Sequence, residues 1–190
     1  MKTIMLKKDA SMLTGGLTQT SKMPCKSYSL PTEACDTGFK MSKIEGSVCF
    51  FCYANNGFYK LYEKTIKPAQ FARLDSLTSP YWVDAMVALI GSDAYFRWHD
   101  AGDLQGLAHF KKIVEVCELT PNTKHWLPTR EYSIIKAFIS AGGVIPKNQE
   151  NLMYLFSVIV KQKKILKELF TNHLTNIIVL LETTTYIPVL

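Results

Sequence analysis

Apolar residues recur at helical spacing through most of the chain, and the stretches that break the rhythm are short and aromatic. After Gly57, the positions Phe58, Leu61, Tyr62 and Ile66 keep a spacing that predicts a helix. Pro68 is expected to interrupt that stripe, which resumes at Phe71, Leu74 and Leu77. Ser79-Pro80 supplies an N-cap and a first-position proline for a helix ending at Gly91. Its apolar face is Trp82, Val83, Met86, Val87, Leu89 and Ile90. Residues 94–99 (AYFRWH) read as a strand and residues 100–103 (DAGD) as the turn at its end. A helix is expected over 104–119, with Leu107, Phe110, Ile113, Val114 and Cys117 on one face. Residues 125–127 predict a second strand with 128–130 (PTR) as its exit. A helix over 131–141 follows, closed by Gly142-Gly143, and Val144-Ile145 opens a third strand.

Strand, turn and helix thus repeat at a spacing of about 25 to 30 residues, as expected of βα units with a parallel sheet. Such sheets present functional groups at the carboxyl ends of their strands. The polar residues fall there: His99, Asp100 and Asp103 after one strand, Thr129 and Arg130 after the next.

The flanks differ. Residues 1–34 read as a polar, turn-rich lead-in with one short strand near 27–30. Residues 35–57 hold three cysteines among Gly38, Gly46 and Gly57 and follow no period, so a loop organised by a ligand is expected. Residues 1–148 are read as one α/β domain carrying this loop. Beyond Asn148 the character changes to an apolar run over 152–160 and a lysine-rich stretch over 161–167, read as a solvated helix face.

With 190 residues, 47% hydrophobic and 20% charged, the chain has the composition of one globular domain. Its net charge of +6 permits nucleic acid as a partner without requiring it. No run of eighteen apolar residues occurs and residues 1–10 lack a signal-peptide core, so no membrane span and a cytoplasmic location are expected. Five cysteines in a reducing compartment argue against a disulfide framework.

The chemistry centres on EGSVCFFCYANNG, residues 45–57. Cys49 and Cys52 have the two-residue gap that lets both thiolates reach one ion or cluster. With Cys35 the pattern is C-x13-C-x2-C, three ligands that leave a position open for catalysis. Adding Cys25 would close a four-thiolate zinc site, and a redox dithiol is the further alternative. Tyr53 is expected to pack over this loop, and Cys117 to be core. His99 with Asp100 is either a base with its orienting carboxylate, a ligand pair, or a packed histidine with a helix cap. Asp103 reads equally as a cap or as part of the chemistry. Arg130 would hold a carboxylate or phosphate, or pair with Glu131. His109 and His173 are expected on helix surfaces, and His125 has no assigned role. No P-loop, G-x-G-x-x-G, G-x-S-x-G or H-E-x-x-H occurs, which lowers the odds of an NTPase, dinucleotide enzyme, serine hydrolase or zincin.

The stretches GSVCFFCYA (46–54), YWVDAMVALI (81–90), RWHDAGDLQ (97–105), HWLPTRE (125–131) and AGGVIP (141–146) resemble, in the same order, the phage gene product 88 family. The resemblance runs from about Lys22 to Asn148, and residues 149–190 read as a divergent, truncated or frame-shifted tail. The family is similar at a distance to radical S-adenosylmethionine proteins. That resemblance implies a [4Fe-4S] cluster on Cys35, Cys49 and Cys52, with S-adenosylmethionine on its open iron. It places Gly102, Asp103 and Thr129 near the methionine moiety, with Arg130 on its carboxylate. The expected architecture is a partial, TIM-like barrel of repeated βα units. His99, Asp100 and Arg130 would act on an unidentified substrate, in the host cytoplasm if phage-encoded. Zinc in a structural, nucleic-acid-associated protein is the alternative.

Overall fold

The computed structural model describes residues 5–20, 23–145 and 152–155. In chain order the elements are helix α1 (Lys7–Thr14), strands β1 (Thr18–Gln19) and β2 (Lys26–Tyr28), and helices α2 (Asp36–Met41), α3 (Gly57–Leu61), α4 (Glu63–Ser76) and α5 (Trp82–Ile90). Strand β3 (Tyr95–Trp98), helix α6 (Leu107–Leu119), strand β4 (Lys124–Pro128), helix α7 (Tyr132–Ser140) and strand β5 (Leu152–Leu155) follow.

The strands lie in one sheet in the order β1-β2-β3-β4-β5. Strands β2 to β5 run parallel and β1 is antiparallel on the edge of β2. The parallel α/β expectation is met in this sheet; the partial barrel is not. A βα barrel closes when eight tilted strands bring its edges together. Here β1 and β5 are the two edges among the described residues, and the antiparallel β1 ends the parallel series on its side.

The core lies on one face of the sheet. Phe96 and Trp98 alternate inward from β3, while Tyr95 between the turn and Phe96 is exposed, the period-two signature of a strand covered on one side. Helices α1, α5, α6 and α7 pack side by side in that order and supply Ala10, Trp82, Met86, Phe110, Ile113 and Ile135 to the same cluster. Tyr28 joins the layers: its ring meets Trp82 and Trp98 edge-on, and its hydroxyl donates to the Thr14 carbonyl at 2.8 Å and accepts from Trp82 Nε1 at 3.2 Å.

Local expectations fail where tertiary contacts override the pattern. Pro68 sits inside α4 without breaking it; the break falls at Tyr62 instead. Helix α6 begins at Leu107, not 104, because Asp103 takes the Leu104 amide and Gly106, at φ 129°, turns the chain. Val144-Ile145 forms no strand; the next parallel strand is β5. His109 is buried rather than on the surface. The lysine stretch 161–167, His173 and the rest of the expected tail lie outside the described residues, apart from β5.

Candidate functional site

Three adjacent parallel strands end on one rim, and each delivers one part of the site. Beyond β2 the chain runs through Leu30 and Pro31 into the cysteine loop. Beyond β3 come His99 to Asp103, and beyond β4 come Thr129 to Glu131. The rim is tight. The Leu30 amide donates to the Ala101 carbonyl at 2.8 Å, and a Cβ added at Gly102 would lie 2.6 Å from Leu30 Cβ and 2.7 Å from its carbonyl oxygen. Only glycine fits there, and its φ of 81° suits no other residue well.

Asp103 ties the second strand end to the third. Its Oδ1 accepts from the Leu104 amide at 2.7 Å and from the Thr129 hydroxyl at 2.5 Å, and its Oδ2 accepts from the Arg130 amide at 2.8 Å. Burial raises its pKa above the ordinary carboxylate value, against the pull of those three donors. It is therefore a clamp as well as a cap, a combination the sequence left open.

Glu131 ties the third strand end to the cysteine loop. Its Oε1 accepts from the Thr37 amide at 2.8 Å and its Oε2 from the Thr37 hydroxyl at 2.9 Å. Gln105 adds a second tie, donating to the carbonyls of Ala34 at 3.1 Å and Asp103 at 2.7 Å. The loop is not aperiodic, as expected from sequence, but contains α2 directly after Cys35. Gly38, on the first turn of α2, faces the thiols: a Cβ there would lie 3.7 Å from Cys35 Sγ and 3.8 Å from Cys49 Sγ.

The three cysteines are electrostatic neighbours. Burial pushes the Cys35 thiol up to about 12, with Asp103, Cys52, Cys49 and Glu131 acting in the same direction. Burial also raises Cys49, whereas the Arg130 guanidinium lowers it through its charge and a hydrogen bond to the sulfur. Cys25 is separate. It precedes β2, at the opposite end of that strand from Cys35, and the side chains acting on its thiol are Arg97, Asp100 and Asp93. Cys117 is buried in the core, as expected.

The remaining expected site residues divide. Arg130, Thr129, Asp103 and Gly102 share the rim with the cysteines. His99 takes a left-handed backbone conformation, φ 55°, and is buried, its ring centroid 5.3 Å from that of His109. Burial lowers its pKa well below the ordinary histidine value. Asp100 engages the tyrosines instead of a histidine. Its Oδ2 accepts from Tyr59 at 2.6 Å and its carbonyl accepts from the Tyr53 hydroxyl, so Tyr53 ties the segment after Cys52 to the end of β3. Thr37, Gly38, Tyr59 and Gln105 carried no signal in sequence, because each acts through a partner more than twenty residues away or through empty space. Glu131 was legible only as a helix start or a partner for Arg130.

Among the described residues, no three His, Cys, Asp or Glu side chains share a point at which one metal ion would bind. A single zinc ion needs every sulfur about 2.3 Å from that point. A [4Fe-4S] cluster takes its thiolates on different irons and so spaces them wider. The thiols of Cys35 and Cys49 lie beside the bare side of Gly38, and Cys52 is near enough to act on both through its charge.

A family model described as Gene product 88 matches residues 4–188. The match continues past Asn148 and begins before Lys22, which corrects the narrower extent read from the motifs. No curated protein matches the chain. No solved structure matches it. Among the described residues, no helix is long and apolar enough to cross a membrane.

Proposed function

The chain belongs to the gene product 88 family, and we propose that its cysteine loop holds a [4Fe-4S] cluster on Cys35, Cys49 and Cys52 in a radical S-adenosylmethionine type of enzyme. The observation that carries this reading is the placement of the Cys35 and Cys49 thiols beside the side of α2 that Gly38 leaves bare, with Cys52 an electrostatic neighbour of both. A bound cluster would supply the electron for reductive cleavage of S-adenosylmethionine. The protein's own residues do the rest. Glu131 and Gln105 fix the start of the loop, and Asp103 fixes the strand ends against each other. Arg130 favours the thiolate at Cys49, the form that ligates metal. Its place on the rim also suits it to a ligand carboxylate.

The zinc alternative in its four-thiolate form needs Cys25, and the position of Cys25 at the far end of β2 speaks against it.

The test is metal and acid-labile sulfide content, with the visible spectrum, after anaerobic purification of the full chain. About four iron and four sulfide per chain are expected. They should fall in Cys35→Ser, Cys49→Ser and Cys52→Ser and persist in Cys25→Ser. Zinc alone, without sulfide or colour, overturns the reading.

A further inference from the structure

The sheet carries a second set of polar residues on the face turned away from Phe96 and Trp98. The register pairs Ser27 with Arg97 and Arg97 with Trp126, so three neighbouring strands place these side chains in one row. Strands lie about 4.8 Å apart, and the row spans roughly 10 Å. Ser27 is wholly buried, and its hydroxyl has no hydrogen-bond partner. Arg97 Nε and Trp126 Nε1 are likewise buried and unpartnered. Buried polar atoms are seldom left unpaired, and three in one row mark a place where something else binds.

The chemistry of the row defines that ligand. Arg97 and Trp126 offer N–H groups and no acceptor, and Ser27 offers a hydroxyl. Arg97 adds a permanent positive charge. Its guanidinium is already oriented: Nη1 lies 2.9 Å from Met23 Sδ, Nη2 donates to the Tyr53 hydroxyl at 3.1 Å, and the group stacks 4.4 Å from the Trp126 ring centroid. Arg97 forms no ion pair among the described residues. Of the carboxylates near this region, Asp93 pairs with Lys26 at 2.9 Å, and Asp100 accepts from Tyr59 at 2.6 Å through Oδ2 while its buried Oδ1 has no hydrogen-bond partner.

We propose that Ser27, Arg97 and Trp126 form a binding site for an oxyanion, a carboxylate or phosphate group of a small molecule. Tyr53 joins this row to the cysteine loop one residue after Cys52. The anionic molecule is therefore the substrate class of the rim site. That last step rests on the cluster reading, whereas the oxyanion site itself rests on the strands alone.

Isothermal calorimetry on the full chain tests it, with inorganic phosphate and with succinate as probes. Saturable heat with either probe is expected, weakened about tenfold or more in Arg97→Gln, the range of a lost charge-assisted hydrogen bond. Ser27→Ala and Trp126→Phe should each weaken binding by a smaller factor. Phosphate alone binding identifies a phosphoryl ligand, and succinate alone a carboxylate. No saturation with either probe overturns the site, as does unchanged affinity in all three variants. If Arg97→Gln fails to fold, Ser27→Ala and Trp126→Phe decide. The measurement is repeated after iron chelation: binding that persists while cluster tests fail would remove the cluster reading and leave the oxyanion site.

Discussion

Thr37 and Glu131 are ninety-four positions apart and share two hydrogen bonds, amide to Oε1 at 2.8 Å and hydroxyl to Oε2 at 2.9 Å. Glu131 thus serves the first turn of α2 in the role of a cap supplied from another strand end. Thr37→Val removes one donor and should cost about 1 kcal/mol of stability by chemical denaturation. Glu131→Ala removes both acceptors and leaves the Thr37 amide unserved, so about 2 kcal/mol is expected. In both variants metal content should fall further than stability alone explains, because Cys35 loses its fixed neighbour. Full metal loading in Glu131→Ala would contradict the role.

Gly38 and Gly102 separate the requirements of the site from those of the fold. Gly38→Ala places a methyl between Cys35 Sγ and Cys49 Sγ, at 3.7 and 3.8 Å, and 3.2 Å from Cys35 Cβ. Alanine is the better helix former by about 1 kcal/mol, which offsets the close 3.2 Å approach to Cys35 Cβ, so the metal-free protein should melt near its original temperature. Iron incorporation should nevertheless drop. A stable variant with undiminished iron would show that the space is not used.

Gly102→Ala meets Leu30 Cβ at 2.6 Å and its carbonyl at 2.7 Å, in addition to the cost of a positive φ. About 3 kcal/mol of destabilisation is expected, overpacking plus left-handed strain. Gly46→Ala is the control. Its φ is 78° but nothing lies within 4 Å, and only about 1 kcal/mol should be lost. Similar losses in both would mean that strain, not the Leu30 contact, sets the requirement.

How far these features were legible depended on the range of the interaction behind them. The strands around 27–30, 94–99 and 125–127 were visible because aromatic residues and leucine there lie among polar ones. The parallel pairing of the last two followed from the helix between them, whereas that of the strand near 27–30 with 94–99 did not, since it lay in a lead-in with no helix repeat. The rim followed too, since Asp103, Thr129 and Arg130 fall just past strand ends. The open sheet was not visible, because closure depends on strand number and edge pairing rather than on any local pattern. Nor was α2, whose six residues DTGFKM are too short to show a period. The burial of His109 was missed because the face of α6 turned toward Trp82 and His99 is set by packing.

The buried histidines set a pH dependence of stability. Burial lowers His125 to about 4 and His109 to about 3, against an ordinary value of 6.5. Between these values and 6.5 the unfolded chain binds more protons than the folded one, so stability rises with pH and is lost on acidification. Each unit of depression contributes about 1.4 kcal/mol at the acid limit. Asp103, with its raised pKa, works in the opposite direction: the folded chain holds that proton longer, which favours folding as pH falls through its lower window. The histidine effect should dominate from pH 6.5 to 5, with a falling melting temperature. His125→Gln should flatten the profile; an unchanged slope in that variant and in His109→Gln would refute the assignment.

The thiols should react in an order set by their surroundings when no metal is bound. Cys35, pushed up to about 12, and the buried Cys117 hold their protons at pH 8 and should be alkylated slowly by iodoacetamide. Cys49 has the Arg130 guanidinium beside it and should react faster than Cys35. Arg130→Gln removes that charge and should slow Cys49 several-fold while leaving Cys35 near its original rate, as read by peptide mass spectrometry. Slowing of both to the same extent would mean that the substitution had shifted the loop as a whole. A selective effect on Cys49 would locate Arg130 at the sulfur, where it favours the ligating thiolate.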